Sequence, residues 1–138
     1  MRWTRTSMHH FTTEQQEIVK YFLDMYVAFQ EPYGRLRKSV VHNDVNDNNV
    51  LVSGTGKDPA VIAIIDYGDA IHTQTINDVA IAMAYAIMGF PDPLAAAMQI
   101  VSGYHRRFPL QEEELSYLYA LVAMRLIISV SKSAINRL

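Results

Sequence analysis

Two short stretches concentrate the carboxylates and carboxamides that could hold a cation or move a proton. The first is Val41-His42-Asn43-Asp44-Val45-Asn46-Asp47-Asn48-Asn49-Val50-Leu51-Val52, which crowds Asp and Asn into a turn between two apolar runs. The second is Ile64-Ile65-Asp66-Tyr67-Gly68-Asp69, where a carboxylate directly follows an apolar run. Each alone admits a plain reading. Asn and Asp favour turns because their side chains bond nearby backbone N–H groups, and strands commonly end in such residues. Together they imply more. If Val50–Val52 and Val61–Ile65 pair as an antiparallel hairpin across the turn Ser53 to Pro59, Asn49 and Asp66 meet at one end. Asp44 is then one loop away, and two carboxylates and a carboxamide share one edge of a small sheet.

The candidate ligand atoms, from Asp44, Asn49, Asp66 and Asp69, are all hard oxygens. The chain has no cysteine, and His42 is the only imidazole near the cluster. Such a set suits Mg²⁺, which keeps several waters and binds through one or two carboxylates plus substrate phosphates. A carboxylate left off the metal can orient a hydroxyl and take its proton.

The elements that must position these residues follow from periodicity. Ile18, Phe22 and Tyr26, with Val19, Leu23 and Val27, recur at helical spacing and predict a helix over about Thr13 to Gln30. Thr12 or Thr13 can cap it, and Pro32 and Gly34 are expected to break it. From Ser39 to Asp66 the pattern changes to short β-branched runs bounded by Asn, Asp, Gly and Pro, which read as strands. Helices resume at Thr75 to Met88, closed by Gly89. Another runs from Asp92-Pro93 to Phe108, with Asp as cap and Pro at the first helical position. A last one, about Gln111 to Asn136, is apolar nearly all round and should be buried. The expected fold class is α+β, mainly helical, with a small antiparallel sheet. One domain over 1–138 is expected, divided into a helix (12–31), the loop-bearing segment (39–69) and a helical subdomain (75–136).

Composition excludes several classes. The chain has 138 residues, half of them apolar and 19% charged, which suits one domain with a real core. Net charge is −2, so no electrostatic footprint for nucleic acid exists. Without cysteine, disulfide scaffolds and thiolate sites are excluded. The greasy stretch Leu115 to Val130 carries Arg125 and falls short of the roughly 20 residues of a spanning helix. Met1 to Thr13 has no apolar targeting segment, so no membrane partner is expected and the expected compartment is the cytoplasm.

The spacing His42-x-Asp44-x₄-Asn49, followed by Ile65-Asp66-Tyr67-Gly68-Asp69, resembles the catalytic and metal-binding loops of the kinase-like fold. It is closer to the aminoglycoside phosphotransferase and choline kinase superfamily than to protein kinases. Those carry Lys two residues after the catalytic Asp, where this chain has Asn46. Within the superfamily, the run His42 to Asn49 and the stretch Ile65 to Gly89 look most like the hydroxylysine kinase-like branch. The resemblance covers roughly Thr12 to Ile135. It implies a C-terminal catalytic lobe, ATP and Mg²⁺ as cofactors, and as acceptor a hydroxyl of a small amine-bearing molecule, hydroxylysine-, aminoglycoside- or choline-like. Asp44 would be the catalytic Asp, Asn49 and Asp66 the ligands of Mg²⁺ against ATP, and His42 a brace for the loop. Asp69 and Asn46 would support them. Phosphoryl transfer needs positioning and charge neutralisation more than covalent help.

The chain departs from that pattern at its start. Only 41 residues precede His42, Lys20 lies on the first helix, and no strand with a Val-Ala-Ile-Lys-like run exists, so the N-terminal lobe is expected to be absent. Gly54-x-Gly56-Lys57 does not replace it, because Leu51 stands where a P-loop has Gly and Asp58 where it has Ser or Thr. Weak or no phosphotransfer by this chain alone is therefore expected. The alternative is a non-catalytic remnant that binds a partner, or dimerises through the face an N-lobe would cover. Among lesser features, His9-His10 reads as a solvated pair, and Trp3 as part of an exposed apolar patch. His72 could reach substrate, Asn77-Asp78 reads as a cap or brace, and Tyr85, Tyr104, Tyr117 and Tyr119 should be core or core-edge.

Overall fold

The structure, a computed structural model, describes residues 11–54, 56 and 58–135. Trp3 and His9-His10 lie outside the described residues. Helix α1 (Thr13–Gly34) starts at a reciprocal cap: the Gln15 amide donates to Thr12 Oγ1 at 3.3 Å, and the Thr12 amide to Gln15 Oε1 at 3.0 Å. The helix does not break at Pro32 as expected but runs through it to Gly34. The last turn tightens instead, with Arg35 and Leu36 amides bonding the Pro32 and Tyr33 carbonyls at 3.1 Å. Buried Tyr33, packed on Phe29 and Tyr117, holds that turn in place.

Strands β1 (Lys38–Val41), β2 (Val50–Ser53), β3 (Ala60–Ile64) and β4 (Ile71–Gln74) form two separate two-stranded antiparallel sheets. β2 and β3 make the expected hairpin, with Val50 opposite Ile64 and a register shift between Leu51 and Val52. β1 pairs with β4, Val41 opposite Ile71 and Lys38 opposite Gln74. That second pairing corrects the expectation of a single sheet. It places His72 on an exposed strand position opposite Val40. A 3₁₀ turn (Tyr67–Asp69) links β3 to β4.

The rest is helical: α2 (Ile76–Ala86), α3 (Pro93–Arg107), the short α4 (Glu112–Leu115) and α5 (Leu118–Ile135). Asp92 caps α3 with a 3.0 Å bond from the Ala95 amide, and Pro93 sits in its first turn. The single last helix expected over 111–136 is instead two. Glu114 is buried and drawn to Arg37, while the Ser116 hydroxyl bonds back to the Glu113 carbonyl at 2.7 Å, so the chain resets before α5. α5 is long and apolar enough to cross a membrane by length and composition. In this fold its inner residues Leu118, Leu121, Val122, Met124 and Ile127 pack inward.

The core joins α2 to α5 and α3, and α1 to α5. Ile76 and Val79 are fully buried at its centre, with Leu36, Ala84, Leu121 and Val122 around them. Burying an aliphatic side chain of this size contributes about 1.5–3 kcal/mol. Phe11, Val19, Met124 and Ile127 form a second cluster between α1 and α5. Tyr104 and Tyr117 pack at the core edge as expected, but Tyr119 is 67% exposed.

Candidate active site

β1 ends at Val41, and the next residues turn sharply. Asn43 is left-handed, with φ 66°, a conformation that Asn tolerates better than most residues. The turn aims the Asn43 amide at Asp78 Oδ1, 3.3 Å away on the first turn of α2. Asp78 is therefore a brace for this loop. Its neighbour Asn77 accepts from the Tyr33 hydroxyl at 2.7 Å and donates to Thr73 at 3.3 Å. Burial pushes the Tyr33 phenol up to about 12, although the bond to Asn77 pulls the other way, so it stays a donor at neutral pH.

Asp44 follows, and both of its carboxylate oxygens are held. Oδ2 accepts from Asn46 Nδ2 at 3.0 Å and from Asn49 Nδ2 at 3.2 Å. The same two amides also bond the Asp44 carbonyl, at 3.2 and 2.9 Å. Asn46 Oδ1 accepts from the Asn48 amide at 2.9 Å, which closes the loop as an Asx turn. Oδ1 takes the Arg125 guanidinium through Nη2, and the Tyr85 hydroxyl at 3.3 Å. Arg125 Nη2 also donates to the Tyr85 oxygen at 2.7 Å and lies over that ring.

His42 is buried and reaches across to the second loop. Its Nε2 lies 2.9 Å from the Ile65 carbonyl, its Nδ1 accepts from the Asp44 amide at 3.3 Å, and its ring packs on Tyr67. These bonds place Nε2 as the donor. The Ile65 amide bonds the Asn49 carbonyl at 3.0 Å, so the two loops are joined twice. Asp66, just beyond, is exposed and left-handed at φ 62°, with Oδ1 accepting weakly from the Gly68 amide at 3.4 Å.

The structure thus brings Asp44, Asn46, Asn49 and His42 into one bonded group and tethers the Asp66 loop to it. Asp69 lies in the 3₁₀ turn, exposed. Among the described residues no bond joins Asp66 or Asp69 to Asp44, and no three His, Cys, Asp or Glu side chains converge on a metal position. Asn49 spends its Nδ2 on Asp44, which leaves Oδ1 as the atom that could meet a cation, and Asp66 offers an exposed carboxylate. Both are hard oxygens, the donor type that suits Mg²⁺.

Arg125 and Tyr85 are members of the group that sequence reasoning did not assign to it. One signal was present: Arg125 is the single charge in the apolar run Leu115 to Val130, and a charge in such a run needs a partner. A cavity of about 440 Å³ adjoins the group, lined by Tyr26, Tyr33, Asn43, Asn77, Leu121 and Arg125 among others. A second of about 340 Å³ lies beside Val45, Asn46 and Tyr85.

Comparison with known proteins gives the family. The family described as "Phosphotransferase enzyme family" (APH) matches residues 1–114. Hydroxylysine kinase of Xenopus laevis is 32% identical over 120 residues, which cover 82% of this chain and 32% of that protein. Hydroxylysine kinase of Danio rerio is 34% identical over 112 residues, covering 80% and 32%. That of Mus musculus is 28% identical over 120 residues, covering 82% and 32%. The chain therefore spans about a third of the length of the curated relatives it matches. No solved structure matches. With the family matching most of the chain, this protein belongs to the phosphotransferase enzyme family.

Proposed function

We propose that this chain is the C-terminal, catalytic lobe of an ATP- and Mg²⁺-dependent small-molecule kinase whose acceptor is a hydroxylated amine of the hydroxylysine type. The observation that carries the reading is the bonded loop in which Asn46 and Asn49 orient Asp44 while His42 ties the Asp66 loop beside it. In the reaction the acceptor hydroxyl gives its proton to Asp44. Its oxygen bonds the γ-phosphorus, the bond from that phosphorus to the β–γ bridging oxygen breaks, and ADP leaves. Asn49 Oδ1 and Asp66 would hold Mg²⁺, which neutralises charge on the phosphates. Asn46 keeps the Asp44 carboxylate turned toward the acceptor, and Asp69 adds negative charge beside Asp66.

The hairpin β2–β3 leaves Val52, Val61 and Ile62 each more than 60% exposed. Val61 and Ile62 alternate across β3, so the hairpin shows apolar side chains on both of its faces, as a segment that packs against further structure would. We assign this surface to docking of a further part of a phosphotransferase fold, since the match covers only about a third of the length of the curated relatives. Without that part, turnover is expected to be weak.

The test is thermal stability with Mg-ATP, in wild type and Asp66→Asn, together with transfer of labelled γ-phosphate to hydroxylysine. A ligand at 100 times its Kd stabilises by about 2.7 kcal/mol. A shift in wild type that Asp66→Asn abolishes supports the reading. No shift in wild type, or an equal shift in both, overturns it.

A further inference from the structure

We infer that Arg125 selects the acceptor: it pins Asp44 in the resting site and releases it to a substrate that brings a free carboxylate. The inference rests on the kinase reading for the role of Asp44 and adds a residue and a substrate chemistry to it.

Asp44 is fully engaged, with Arg125 and Tyr85 on Oδ1 and Asn46 and Asn49 on Oδ2. A hydroxyl can reach this carboxylate only if one donor withdraws. Asn46 and Asn49 also hold the Asp44 backbone carbonyl, so they move only with the whole loop. Arg125 comes from α5 on a long, flexible stem, and it is the donor that can leave.

Its bonding is incomplete. A guanidinium carries five N–H donors in a planar fork. Here Nη2 makes both hydrogen bonds, to Asp44 and to Tyr85, while Nε is buried with no partner. A monodentate hold with an orphaned donor is a weak use of arginine, and a bidentate carboxylate is a stronger partner. The cavity beside it is fit for that exchange. Among the described residues Arg125 is the one charged side chain in its lining, which is otherwise aromatic, aliphatic and amide, and its charge is balanced by Asp44 alone. When Arg125 leaves Asp44, a substrate carboxylate restores that balance, whereas a quaternary amine or a polycation finds no second carboxylate in this lining. The acceptor class is therefore a hydroxy amino acid with its carboxylate free, not a choline-like or aminoglycoside-like cation. The substrate carboxylate takes the guanidinium, and Asp44 Oδ1 is opened to the substrate hydroxyl.

Calorimetric binding to the full chain tests this with three probes: 5-hydroxylysine, its carboxamide, and a hydroxylated diamine with no carboxyl group. The acid should bind at least tenfold tighter than the other two. In R125Q the preference should fall to within twofold. Should R125Q fail to fold, R125K carries the same test, because it keeps the charge but loses the fork, and its preference should fall below threefold. Equal binding of all three probes to wild type, binding of none, or a preference that survives either substitution overturns the inference. Phosphate transfer is measured separately. Equal transfer to all three acceptors upholds the kinase reading and overturns this one; loss of the Mg-ATP shift in wild type overturns the kinase reading and this one with it.

Discussion

Replacing Arg37 by Met should expose how the loop-bearing strand β1 is anchored. Arg37 directly precedes β1 and bonds Glu114 in a fork, Nε to Oε1 at 2.6 Å and Nη2 to Oε2 at 2.7 Å. It also donates to the Pro109 carbonyl at 2.7 Å and lies over the Phe108 ring. Glu114 is wholly buried, whereas the Arg37 side chain is 29% exposed. In R37M the carboxylate keeps only the Gln111 amide, at 2.8 Å. Stranding a buried charge costs about 3–5 kcal/mol, and the partial exposure of Arg37 favours the low end, about 3 kcal/mol. An unfolding entropy of about 2.1 cal/mol/K per residue converts that to a Tm drop of roughly 10 °C for a chain of 138 residues. Acid adds a second readout. Burial pushes the Glu114 carboxyl up, but the bonds from Arg37 and the Gln111 amide outweigh it and hold the group below its ordinary 4.5. With the folded value depressed, the stabilisation is present above about pH 4.5 and is lost as pH falls through the folded value. In R37M burial prevails and the carboxyl protonates earlier, so the gap between variant and wild type should narrow below about pH 5. Urea melts at pH 7 and pH 4 measure both. A variant within about 1 kcal/mol of wild type at pH 7, or a gap unchanged by acid, would show that Arg37 does not anchor β1 through Glu114.

Two further substitutions probe the loops. His42→Leu removes the donor to the Ile65 carbonyl and the acceptor for the Asp44 amide. It should cost about 1–3 kcal/mol in urea unfolding and reduce Mg-ATP stabilisation with it; unaltered unfolding and ATP response would show that the two loops hold without it. Gly54→Ala places a methyl against the Asp58 carbonyl at φ +93° and should destabilise by more than about 1 kcal/mol. Gly56→Ala meets nothing within 4 Å and should stay within about 0.5 kcal/mol of wild type. Equal melting temperatures for the pair would mean that the hairpin turn is not built as described.

Much of the site could be read from local patterns. The hairpin was legible because two β-branched runs flank a turn-rich segment, and its pairing places Asn49 beside the Asp66 loop. Asp92-Pro93 announced α3 because a cap and a first-turn proline are local chemistry. Local rules also misled. Pro32 suggests a helix end, yet the aromatic packing of Tyr33 carries the helix past it. β4 is four residues long and has too little pattern to announce itself, and only its pairing with β1 makes it a strand.

The Asp and Asn content of the two loops, their spacing and the mainly helical α+β class are written into the amino-acid order alone. Those properties arise within a few residues, from turn preferences, caps and periodicity. Tertiary structure alone decided who holds Asp44. Arg125 lies 81 residues further along the chain, and Tyr85 lies 41. Their arrival depends on α2 and α5 packing together around Ile76 and Val79. A contact of that separation leaves only a faint local mark, a lone arginine in an apolar helix, because the hydrophobic burial that creates it sums over the whole core.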